Sequence, residues 1–152
     1  MKIRILIEGL SKRPGTLRLN AAAYVISCAL QNGKEVTKNG FAEIPDATTN
    51  RVVLSALLKA LKSFTKQSEI RIIIGDDFVR NTLINGWPAK WKAAGWQRPR
   101  GEIKNADLWK QIQEELEKHY VSYGLGIELD HEYKNWMHEE LERRTKECQK
   151  TI

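Results

Sequence analysis

The sequence predicts one α/β domain built on a five-stranded mixed sheet whose first three strands are antiparallel. Three observations carry this. Three strand-like segments precede the first helix, strand-like and helical segments then alternate, and 152 residues suffice for one well-packed core but not comfortably for two. The composition, 41% hydrophobic and 29% charged, is that of a globular chain without low-complexity tracts or repeats. The expected unit runs over 1–148, with 149–152 as a disordered tail.

Lys2 to Glu8 alternates Lys2 and Arg4 with Ile3, Ile5 and Ile7, a first strand entering a core. Ala21 to Leu30 and Lys34 to Ile44 flank Asn32-Gly33 and read as a hairpin. Thr48-Thr49-Asn50 offers capping oxygens before Val53, Leu54, Leu57, Leu58 and Leu61, a helical stripe. The β-branched run Arg71 to Ile74 predicts a buried strand ending at Gly75, and Asp76-Asp77 can cap a short helix reaching about Leu83.

From Trp87 to Arg100 the chain carries Trp87, Trp91 and Trp96 among Lys90, Lys92, Arg98 and Arg100, with Pro88 at a helix start and Gly95 at its end. A helix follows Asn105-Ala106-Asp107, bearing Leu108, Trp109, Ile112 and Leu116. Tyr120 to Leu129 is strand and then loop, and Asn135 to Arg144 predicts a last amphipathic helix.

A formal charge of +6 and a pI near 9.4 favour polyanionic partners. No apolar run approaches the roughly 20 residues of a membrane span. Met1-Lys2-Ile3-Arg4 opens directly into a strand, and Cys28 and Cys148 lie far apart, so a cytoplasmic protein with reduced thiols is expected.

Several motifs together resemble a named family. Thr48-Thr49-Asn50-Arg51-Val52-Val53 is similar to the Thr-Asn-Asn-Arg-x-Glu helix start of type 1 ribonucleases H, and Gly75-Asp76-Asp77-Phe78-Val79 to their Asp-Ser-x-Tyr-Val element. Trp87-Pro-Ala-Lys-Trp91-Lys-Ala-Ala-Gly95-Trp96, followed by Lys104-Asn105-Ala106-Asp107-Leu108-Trp109, is similar to the family's basic handle and the helix after it. The resemblance spans nearly the whole chain and implies a ribonuclease H-like fold.

It also implies a chemistry. Family members cut the RNA strand of an RNA/DNA hybrid with two divalent ions held by carboxylates, and hard cations such as Mg²⁺ or Mn²⁺ need oxygen ligands. Carried over position by position, the first strand's Asp becomes Glu8, the helix Glu becomes Val53, the fourth strand's Asp becomes Gly75 and the last helix's Asp becomes Glu139. Two positions keep a lengthened carboxylate and two lose their side-chain oxygens. Metal binding through Glu8, Asp76 and Glu139 requires Asp76 to replace position 75, which a regular strand end does not allow because neighbouring residues face opposite ways; otherwise Asp76 and Asp77 are caps. His131 lies two residues from the loop histidine the family places before its last helix, and either helps proton transfer or is merely solvated.

Duplex binding needs no metal. The resemblance assigns Thr48 and Asn105 to a DNA-strand phosphate, Asn50 to minor-groove base edges, Trp91 to a DNA-strand sugar, and Lys90, Lys92, Arg98, Arg100 and Lys104 to phosphates. Trp87, Trp96 and Trp109 are read as holding the handle to the domain. The expectation is a monomeric binder of RNA/DNA hybrid or another duplex with weakened or absent Mg²⁺- or Mn²⁺-dependent cleavage. Two alternatives stand beside it, an active ribonuclease with a rearranged Glu8, Asp76, Glu139 cluster and a non-catalytic protein-interaction scaffold.

Overall fold

A computed structural model describes residues 2–10, 19–99 and 101–150, with side chains through 145. Met1, residues 11–18 with the basic pair Lys12 and Arg13, Arg100, the Cys148 side chain and the last two residues lie outside the described part. The elements run β1 (Lys2–Gly9), β2 (Leu19–Ala29), β3 (Glu35–Pro45), α1 (Thr49–Lys62), β4 (Glu69–Ile74), α2 (Asp77–Ile84), α3 (Trp87–Ala93), β5 (Gln97–Arg98), β6 (Gly101–Glu102), α4 (Ala106–Leu116), β7 (Tyr120–Gly124), a 3₁₀ turn (Gly126–Glu128) and α5 (His131–Lys150).

The main sheet has the order β3-β2-β1-β4-β7, with β1–β2 and β2–β3 antiparallel and β1–β4 and β4–β7 parallel. The expected five-stranded mixed sheet is therefore observed, with the first strand at its centre. Its alternation sorts side chains into two layers. Ile3, Ile5, Ile7, Ile70, Ile72 and Ile74 join the apolar stripe of α1 and the Leu108, Trp109 and Ile112 face of α4 in the larger core. Leu6, Ala23, Val25 and Ile73 pack under Met137 and Leu141 of α5 in the smaller one.

Differences from the sequence-based expectation lie at element ends. The last helix begins at His131 rather than Asn135, because Asp130 O already accepts from Lys134 N at 2.9 Å, and its backbone continues through Lys150, past the expected helix end at Arg144. The expected excursion after α3 contains a small hairpin, β5 with β6, too short for any periodicity.

The connection into α5 is clamped. Arg71 on β4 donates a fork of hydrogen bonds to Glu128, and Arg4, its register partner on β1, pairs with Asp130 at 3.2 Å. Leu129 between the two acids is buried in the smaller core. Glu35 at the start of β3 accepts from Tyr133 of α5 at 2.8 Å and also from Ser27. Three strands thus hold the start of α5.

Candidate active site and nucleic-acid interface

Glu8 comes from the end of the central strand, on the sheet face that α5 covers. Beside it the parallel neighbour β4 ends, and Gly75 N donates to Ile7 O at 3.0 Å. A Cβ built on Gly75 would lie 2.7 Å from the Glu8 Cδ. The lengthened carboxyl of Glu8 therefore fills the room that a side chain at 75 would need, so the two departures from the family pattern compensate each other sterically.

Glu8 is 7% exposed. Burial pushes its carboxyl above the usual range; the positive charges of His138 and Lys134 and a hydrogen bond from His138 pull it back, and Asp76 pushes it up again. His138 Nε2 stands 3.5 Å from Oε1, while Oε2 is buried without a hydrogen-bond partner among the described residues. Lys134 and His138 are four apart on one face of α5.

The other expected site residues are spread out. Val53 is fully buried in the larger core, within reach of Gly9, where a carboxylate would have no partner. Asp76 is the N-cap of α2, accepting from Val79 N at 2.9 Å, and Asp77 pairs with Arg80 at 2.5 Å. Arg80 also donates to Ile74 O at 3.1 Å and Gly75 O at 3.5 Å, placing a guanidinium on the carbonyls of the strand end. Glu139 is solvent-exposed, and the α5 side chains that face Glu8 are His138 and Lys134 instead. His131, expected in a loop, is the exposed first residue of α5.

Among the described residues no three His, Cys, Asp or Glu side chains converge to hold a metal. Glu8, Asp76 and Glu139 are thus not brought together. Val53 offers no oxygen, Gly75 offers only a carbonyl that Arg80 approaches at 3.5 Å, and Glu8 faces His138 at 3.5 Å rather than a second carboxylate, so the residues present do not fit a carboxylate-held pair of divalent ions.

The start of α1 is better preserved. Thr48 caps it, its Oγ1 accepting from Arg51 N at 3.2 Å, and Thr49 Oγ1 donates to Leu10 O at 3.2 Å, tying the helix start to the end of β1. Arg51 donates to Asn105 Oδ1 at 3.1 Å and to both carboxylate oxygens of Asp107, which holds Asp107 below the usual carboxyl range. Asn105 adopts φ +59° at the head of α4. Arg51 therefore lashes the two helix starts together, with Thr48 exposed and Asn50 and Asn105 half-exposed beside it.

In the handle, Trp91 is the hub. Its ring contacts Trp87 at 6.3 Å, Trp96 at 6.5 Å and Trp109 at 5.8 Å between centroids, and it packs half-buried against the larger core. The aromatic face left to solvent is Trp87, 46% exposed, with Lys90 Nζ 4.7 Å above its ring. Lys92 is engaged by both oxygens of Glu117 at 2.8 Å. Lys90, Arg98 and Lys104 are exposed.

A family model of RNase H matches residues 13–125. The chain belongs to the ribonuclease H family. Over 80 residues it is 36% identical to a ribonuclease H of Stutzerimonas stutzeri, covering 52% of each chain, so it spans about half the length of that relative. Its fold matches the crystal structure of LC9-RNase H1, a type 1 RNase H with the type 2 active-site motif, at TM-score 0.72 and 18% identity over 88% of this chain and 68% of that one. It also matches a foamy viral protease-reverse transcriptase in complex with dsDNA at TM-score 0.65 and 13% identity over 95% and 92%.

For a ribonuclease H, the residues that sequence reasoning missed are His138 beside Glu8, Lys134, whose charge reaches Glu8, Arg80 on the strand-end carbonyls, and Trp87 as the exposed ring. The spacing of Lys134 and His138 was a legible signal; that their face meets Glu8 was not, because it depends on where α5 starts.

Proposed function

We propose that this chain is a ribonuclease H-family duplex-binding domain, a cytoplasmic monomer over about residues 1–148 that recognises RNA/DNA hybrid with weakened or lost metal-dependent cleavage. What carries the reading is the strand end. The Glu8 carboxyl occupies the space over Gly75, Val53 is sealed in the core, and Lys134 and His138, not carboxylates, line the face of α5 toward Glu8. Against this, Thr48, Asn50 and Asn105 stay accessible, Arg98 and Lys104 are exposed where phosphates can reach them, and Trp87 with Lys90 over its ring forms an exposed aromatic–cationic pair for the backbone. Trp91 and Lys92 contribute chiefly by holding the handle in shape.

No metal step is assigned, since the residues do not fit the ions. The test is a labelled hybrid followed in parallel by anisotropy and by gel in Mg²⁺ and in Mn²⁺. Salt-sensitive binding with intact RNA is expected. Cleavage that Glu8→Gln abolishes would establish instead the active alternative, with Glu8, Asp76 and Glu139 regrouped around metal. Absence of binding even at low salt, joined to a protein partner in pull-down, would favour the scaffold.

A further inference from the structure

The cations that face Glu8 have a use in this setting. We propose that Lys134 and His138 form a phosphate-contacting subsite at the strand end, so that the protein's own side chains meet the nucleic-acid backbone where metal ions would, and duplex binding is independent of divalent metal. This rests on the duplex-binding reading above.

Three observations lead to it. A polyanion approaching the buried Glu8 would be repelled unless donors and positive charge stood between, and Lys134, with the His138 imidazole 3.5 Å from the carboxyl one turn further along α5, supplies them. Lys134 is exposed and His138 half-exposed, so their donors reach solvent while Glu8 stays covered. His131, three residues before Lys134 on the same helix face and exposed, extends the line of N–H donors by one turn.

The placement continues the expected binding surface. Glu8 is followed by Gly9, which abuts Val53 and Thr49 of α1, and Thr49 is bonded to Leu10. The Thr48–Asn105 corner and the Lys134–His138 face therefore flank the same strand end. The positive charge beside Glu8 also opposes ion entry, because an ammonium group cannot ligate a dication and raises the local potential against it.

The test uses the full chain and a labelled RNA/DNA hybrid in anisotropy titrations at several salt concentrations, with EDTA or with millimolar Mg²⁺. The expected result is an affinity that differs less than about twofold between EDTA and Mg²⁺ at matched ionic strength, because counterion release and not metal bridging supplies the binding. Lys134→Met should reduce the steepness of the log–log salt dependence by about 0.9, one phosphate contact, and Lys134→Glu should weaken binding about tenfold at low salt. His138→Gln should weaken it less. Lys66→Met, on an exposed loop residue between α1 and β4, should change nothing.

Calorimetric titration with Mn²⁺ alone gives a readout without nucleic acid and should show no stoichiometric uptake. Strong binding of Mn²⁺, a Mg²⁺-dependent gain in hybrid affinity beyond about tenfold, or a wild-type salt slope in Lys134→Met would each overturn the inference. Retained hybrid binding with an unchanged slope removes this proposal alone, whereas no binding at any salt removes the duplex-binding reading as well. Thermal melts of each variant show whether the fold is kept.

Discussion

The strand end around Glu8 and the handle around Trp91 lie on one molecule and have diverged in opposite ways. At the strand end the chemistry-bearing positions have been absorbed into packing: Val53 completes the larger core, and Glu8 lies over Gly75. In the handle, the packing is concentrated in one hub, Trp91, while Lys90, Arg98 and Trp87 still face solvent. Catalytic positions that lose their oxygens can be recruited for stability. Positions that meet a polyanion can keep their role only by staying uncovered.

The sharpest way to break this contrast is Val53→Glu. An unpaired carboxylate in the α1 core should cost about 3–5 kcal/mol in urea denaturation; a cost near zero would mean the position opens to solvent and could take part in ion binding. Next comes Trp91→Ala, expected to cost about 3 kcal/mol as the hub of three ring contacts. Trp87→Ala should cost under about 1 kcal/mol and weaken hybrid binding more than its stability loss suggests. Equal stability costs for the two tryptophans would erase the distinction between hub and exposed face.

A smaller effect concerns Glu8. Burial raises its carboxyl above the ordinary 4.5, so the folded chain holds that proton more tightly than the unfolded chain. The resulting contribution is complete below 4.5 and is lost as pH rises through the folded value. Glu8→Gln should lack this decline, so its melting temperature, read from about pH 4 to about pH 8, should gain on that of the parent as pH increases. Smallest of all is Lys92→Ala, which breaks a half-exposed pair with Glu117 and should alter stability by about 0.5 kcal/mol or less.

The sequence made the architecture readable because its signals were local and redundant. The stripe on α1, the β-branched Arg71 to Ile74 run and the caps at Thr48 and Asp76 each sit where the structure has them. The carboxylate positions were legible one at a time, but their consequence was not. That Glu8 fills the space over Gly75 depends on two strands meeting in parallel register, and which face of α5 meets Glu8 depends on Asp130 capping a helix four residues earlier than the apolar pattern suggested. Aromatic and basic residues such as Trp91 and Lys92 serve packing and contact equally well, and the neighbours that engage them in the structure, Trp109 and Glu117, are remote in sequence.

The arginine clamp on Glu128 and Asp130 makes the last helix a ratchet with one tooth engaged. With its origin pinned to β1 and β4, the identity of the side chain over Glu8 is a matter of phase, since each residue turns the helix by about 100°. Removing one residue between Asp130 and Lys134 while the clamp holds would bring Glu139 to the bearing that His138 now occupies. Acid and base at this site stand a single peptide unit apart along α5.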